Sequence, residues 1–229
     1  MERSGTLIAV AALSLMTLST GCDSNGVGSA DDSSITLSIK TVNSGVAAKN
    51  GNAVVDVTLA KVLLRTIQFH ARGLDENTEG VDFQSDPMVA VLDPLAAPFE
   101  LPAITVPEGT YHKISFRIHK PDLGEIFDGH PEFNDGDAAH ERFSVIAEGN
   151  LGSVDPATFV YRSEKAMQQQ VTFEEDLEIE SGGGDVNVIL EVDLATWFTD
   201  LDPMDTSASN TSMIDKSIRE SFRIFKDNN

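Results

Sequence analysis

The 229-residue chain contains one cysteine, Cys22. A single thiol excludes an intrachain disulfide framework and any cysteine-rich zinc or iron–sulfur centre. Basic residues are also scarce. Sixteen Lys and Arg stand against 37 Asp and Glu, a formal net charge of −21, which excludes nucleic acid or an anionic lipid surface as a partner held by charge. No apolar run reaches the ~20 residues that span a bilayer. There is no Gly-x-Ser-x-Gly elbow, no Gly-x-Gly-x-x-Gly turn and no Walker loop, and Gly182-Gly183-Gly184 is not followed by the Lys and Ser/Thr that a phosphate loop needs. These absences remove the recognisable nucleophile and nucleotide chemistries, so no catalytic residues are expected; a hydrolase built from a carboxylate pair stays open, because any acidic chain supplies pairs. No organic cofactor is implied either.

What is present begins with an address. Leu7 to Leu18 forms a 12-residue apolar segment, followed at once by Ser19-Thr20-Gly21-Cys22. The segment has the length of a signal-peptide core. This end resembles the lipobox of bacterial lipoproteins, with Ser19 departing from the usual Leu. The resemblance implies cleavage after Gly21 and a diacylglycerol thioether on Cys22; ordinary secretion with a small-x-small site at Ser19 and Gly21 is the alternative. The expected organisation is a signal peptide over 1–21, a polar tether over 22–34 and one folded domain over 35–229. The expected location is the bacterial envelope, on the periplasmic face or outer-membrane surface, with the membrane reached through the lipid on Cys22 and an envelope protein or ligand as further partner.

From Ile35 onward apolar residues recur with period two. Ile35, Leu37 and Ile39 alternate with Thr36, Ser38 and Lys40, which marks a half-buried strand. Similar runs occur at 54–59, 62–69, 143–147, 158–161, 169–173 and 177–179. A short edge element is expected over 88–92 between Pro87 and Pro94, with a strong strand over 186–194. Pro107-Glu108-Gly109-Thr110-Tyr111 reads as a turn opening a further strand. Many short strands separated by turns predict an all-β, antiparallel sandwich. Ile214, Ile218, Phe222 and Phe225 follow helical spacing and predict a short C-terminal helix over 212–225. Trp197 and Phe198 are expected to end the core.

The proline-x-glycine-threonine-tyrosine turn, preceded by Leu101-Pro102, is similar to one that recurs in prealbumin-like or carboxypeptidase-regulatory-like β-sandwiches of bacterial lipoproteins. That resemblance implies a non-enzymatic envelope module and carries over no catalytic residue.

Candidate chemistry concentrates in one segment. Asp122, Glu125, Asp128, Glu132, Asp135, Asp137 and Glu141 fall in a loop, 120–142, that holds no basic residue between Lys120 and Arg142. His119, His130 and His140 lie in or beside it. Imidazole with carboxylate suits zinc or copper(II), and oxygen ligands alone suit calcium. The candidate metal ligands are therefore His119, His130, His140, Asp128, Glu132, Asp135 and Asp137. A solvated acidic loop is the competing reading. His112 would join only through a bulge, since seven residues separate it from His119 and alternate residues face opposite ways. The EF-hand pattern fails, because aligning Gly136 with the loop glycine puts Pro131 and Phe133 at ligand positions. Asp193, Asp200, Asp202 and Asp205, with the terminal Asp227-Asn228-Asn229, form a weaker calcium candidate. Two functional readings thus stand beside the hydrolase: a binding or structural module, and a metal-binding protein using 119–141.

Overall fold

The computed structural model describes residues 33–43, 46–47, 54–73, 81–84, 86–134, 141–152 and 156–227. By contacts the chain divides into Met1–Ala30 and Asp31–Asn229, and the described residues belong to the second unit. The signal peptide, Cys22, His140, Asp135 and Asp137 lie outside them.

The strands are β1 (Ser34–Val42), β2 (Val46–Ala47), β3 (Val54–Ala71), β4 (Val81–Gln84), β5 (Met88–Leu92), β6 (Phe99–Glu100), β7 (Ile104–Thr105), β8 (Gly109–Ile118), β9 (Val145–Leu151), β10 (Ala157–Ser163), β11 (Met167–Ile179), β12 (Asp185–Asp193) and β13 (Phe222–Lys226). Among the described residues one α-helix, α1, covers Ala208–Glu220. The strands form two sheets, one ordered β13-β12-β1-β6 with β7 also on β1, the other built around β3. The fold is an all-β sandwich. Its main core is a cluster drawing Ile35, Leu37 and Ile39 from one sheet and Val62, Leu64, Ile114 and Phe116 from the other. Alternation accounts for it: in β12, Val188, Leu190 and Val192 are buried while Asp185 and Asn187 are exposed.

The sandwich is not wholly antiparallel, because β1 and β12 pair in parallel from Ser34↔Asp185 to Val42↔Asp193. The fold also starts earlier than composition suggests. Ser33 is buried and donates to the Glu180 carbonyl at 2.6 Å, so the polar segment enters the fold before Ser34. Residues 54–59 and 62–69 form one strand. The predicted helix over 212–225 is shifted and cut. Ser207 is its N-cap, helix α1 ends at Glu220, and Phe222 and Ile224 are buried in β13 against β12. Phe222 falls four residues after Ile218 by coincidence with the helical period, whereas the edge of β12 is completed by an extended chain. Trp197 ends the core as expected, fully buried with Nε1 donating to Ser221 Oγ at 2.8 Å. Among the described residues no helix is long and apolar enough to cross a membrane.

Bulges let β3 stay continuous. Thr66 has φ 54° and sits where the β3–β8 register slips between Arg65 and Gln68. A second slip lies at Thr58, opposite Gly149. A Cβ on Gly149 would stand 2.1 Å from the Asp56 carbonyl oxygen, so only glycine permits this approach.

The topology places the acidic loop. Strand β5 pairs with β3 from Ala60 to Leu64. Strands β9 and β8 therefore share the other side of β3, where Val62 faces Val145 and Leu64 faces Ile118. At Leu63, between them, the carbonyl accepts His119 N–H at 2.8 Å and the N–H donates to the Ser144 carbonyl at 3.0 Å. Those two bonds are what one residue opposite Leu63 would make. Strands β8 and β9 thus lie on one strand line, and the acidic segment leaves and rejoins it at a single point.

Candidate metal site in the strand-interrupting loop

The loop packs onto the outer face of its own sheet. Val62-Leu63-Leu64 is a continuous apolar run, and such a run is buried on both faces. Val62 and Leu64 enter the main core. Leu63 and Ile146 instead join Phe133 and Phe143 in a second cluster, with Val89 and Phe127 against it. Phe133, in a single 3₁₀ turn over Pro131–Asn134, is fully buried, and its N–H and carbonyl are used by His130 at 3.4 Å and Phe143 at 3.0 Å. The described part of the loop thus packs around its own small core.

That packing fixes His119 at the loop's root. His119 is 3% exposed. Its Nε2 lies 2.8 Å from Glu125 Oε2, and the same oxygen accepts the Asp122 N–H at 2.8 Å. The turn behind this is Asp122-Leu123-Gly124-Glu125, just after Pro121, in which Gly124 takes φ 83° and Glu125 N–H returns to the Asp122 carbonyl at 3.1 Å. Two bonds brace it from outside. Asn134 Nδ2 donates to the Glu125 carbonyl at 2.5 Å and Arg142 Nη1 to the Pro121 carbonyl at 2.8 Å. One ligand atom from each of His119, Asp122 and Glu125 lies within 4.8 Å of the others. Burial pushes the Glu125 carboxyl up, but the Asp122 amide, His119 and Arg65 outweigh it and hold it below the usual carboxylate range. The site keeps an ionised carboxylate beside an imidazole. His119 Nδ1 is buried without a hydrogen-bond partner, a cost of ~1–3 kcal/mol for a group of this kind.

The other predicted ligands separate into a second group. His130 Nδ1 lies 3.2 Å from Glu132 Oε1, and that oxygen accepts from Lys61 Nζ at 2.5 Å. Burial raises the Glu132 carboxyl, but Lys61, its own backbone N–H and His130 prevail and bring it to about 2. Glu132 is thus engaged by a strand lysine, which makes it a clamp between loop and β3 more than a free ligand. Asp128 and His130 line a shallow groove with Met88 and Phe127. His112 does sit at a bulge, unpaired between Tyr111 and Lys113 in the β3–β8 register, yet seven residues of strand put it roughly 20 Å from His119. Three of the C-terminal aspartates hold backbone N–H groups. Asp193 caps the turn over Leu194–Phe198, Asp202 Oδ1 accepts Met204 N–H at 2.8 Å, and Asp205 Oδ1 accepts Ser207 N–H at 2.9 Å.

The grouping that sequence spacing missed is Asp122 and Glu125 with His119. The available signal was the Asp122-Leu123-Gly124-Glu125 turn just after Pro121, which folds Glu125 back onto the residue where the strand ends.

The chain matches no protein-family model and no curated protein. Among solved structures it is similar to MbnP from Methylosinus trichosporium, at 10% identity over 84% of this chain and 98% of that one, with a TM-score of 0.38. A likeness at that distance assigns neither a family nor a function.

Proposed function

We propose that the chain is a lipid-anchored, extracytoplasmic binding module of the bacterial envelope, without catalytic activity, whose loop binds a divalent transition metal through His119, Asp122 and Glu125. The observation that carries the metal reading is the buried imidazole of His119 gathered with two carboxylates within 4.8 Å at the root of a packed loop. One imidazole with two carboxylates is a donor set for zinc or copper(II), while calcium favours oxygen alone. The packed small core and the Asn134 and Arg142 bonds supply the outer support that holds ligands in place. The anchoring reading rests on Cys22 being the sole cysteine, directly after small residues that follow an apolar segment of signal-peptide length. Two acyl chains hold a protein on its membrane where one does not.

Elemental analysis of residues 31–229, before and after chelation, tests the metal reading. Near-stoichiometric zinc or copper, lost in Glu125→Gln, supports it. Absence of metal, with no melting shift on titration of either ion, overturns it. Membrane fractionation of Cys22→Ser tests the anchor: the variant leaves the membrane fraction if the lipid holds the chain, and unchanged partitioning contradicts the assignment.

A further inference from the structure

The end of strand β10 and the two residues after it carry a polar run, Tyr161 to Lys165, that the metal site does not use. Helix α1 packs over its end. Tyr161 Oη donates to Asp215 Oδ1 at 2.9 Å and Ser163 Oγ donates to the same oxygen at 2.6 Å. Asp215 is 8% exposed. Both hydroxyls therefore converge on one oxygen, and Oδ2 accepts no hydrogen bond among the described residues. Burial, then the Asp215 charge, holds the Tyr161 hydroxyl far above the usual phenol range, so it remains a donor.

Asp215 forms part of the lining of a cleft of about 250 Å³, shared with Lys165, Ala166, Met167, Ser212 and Arg219. Arg219 lies one helical turn beyond Asp215, the spacing of an ion pair, yet neither it nor Lys165 forms one among the described residues. The five ion pairs that lysine and arginine side chains do form there engage Lys40, Lys61, Arg72, Lys120 and Lys216 with acids elsewhere. Two uncompensated cations thus converge on the rim of one cleft in a chain of net charge −21, over a floor that carries a carboxylate.

We propose that this cleft binds a zwitterion of the α-amino acid type, its ammonium group against Asp215 and its carboxylate against Arg219 and Lys165. A simple anion would meet the Asp215 carboxylate and the field of the whole chain, and a simple cation would meet the two rim cations. A ligand with both charges a few ångströms apart meets neither penalty, and Met167 and Ala166 supply apolar contact for a side chain. This inference is independent of the metal site.

The test is thermal denaturation of the full chain with each free L-amino acid in turn. A ligand present at about tenfold its Kd raises Tm by about 3–6 °C in a domain of this size. The expected result is such a rise for at least one amino acid, abolished in Arg219→Gln and absent for the N-acetyl and amide forms of that amino acid. Arg219 is exposed, so the substitution leaves the fold intact, and its own Tm in buffer verifies this. No rise with any amino acid, an equal rise with the N-acetyl form, an undiminished rise in Arg219→Gln, or stabilisation by inorganic phosphate alone overturns the proposal.

Discussion

Glu132 joins the loop to the sheet, and its strength is open to measurement through acid. Its carboxyl falls from 4.5 to about 2 in the folded chain. A depressed carboxylate contributes stability that is fully present above its unfolded value and is lost as pH falls through the folded value. The window here runs from about pH 4.5 down to about pH 2. The full shift corresponds to an upper bound of about 3 kcal/mol at ~1.36 kcal/mol per unit. The side chains of Lys61 and Glu132 are 21% and 24% exposed, so solvent screening reduces the expected contribution to about 1–2 kcal/mol. Replacing Glu132 with Gln removes the titration while keeping the shape. Urea unfolding at pH 7, 4.5, 3 and 2 then gives two curves that differ by about 1–2 kcal/mol at neutral pH and converge near pH 2. A constant difference across that range, or no difference at pH 7, would show that the Lys61–Glu132 contact does not clamp the loop.

Three other perturbations probe the frame. Phe133→Ala empties the small core beneath the loop and should cost about 3–5 kcal/mol if the loop unfolds with the sandwich; a loss under about 1 kcal/mol in urea unfolding would mean that the loop opens independently. Thr66→Gly should raise Tm by a few degrees, because a β-branched residue at φ 54° carries about 1–2 kcal/mol of strain that exceeds the entropic cost of glycine; a lowered Tm contradicts this. Replacing residues 119–144 with one residue, together with Leu63→Thr to suit the uncovered face, should leave a cooperatively melting β-sandwich by circular dichroism, since Ile118 and Val145 already lie on one strand line; loss of the cooperative transition refutes that topology.

Much of this was legible in the residues, and the misses have physical causes. Alternation revealed most strands because one face of each meets a common core. It did not reveal that 54–71 is one strand, because bulges at Thr58 and Thr66 break the period of two without breaking the pairing. It did not reveal β13, since Ile214, Ile218 and Phe222 keep helical spacing across the point where the helix stops. The parallel β1–β12 pair is set by tertiary contacts that no local pattern encodes. For the candidate site, composition located the loop, because a long charged segment between strands stands out. It could not distribute the ligands. Which carboxylate meets which histidine depends on the turn at Gly124 and on Lys61 reaching Glu132 from a strand distant in sequence.

The direct test of the metal assignment is X-ray absorption at the zinc or copper edge on the loaded protein. The account predicts a shell of nitrogen and oxygen only, at about 2.0–2.2 Å for zinc, with the outer-shell scattering of one imidazole that disappears with His119→Ala. A shell containing sulfur, or one that lacks the imidazole signal, or one left unchanged by His119→Ala, would contradict it.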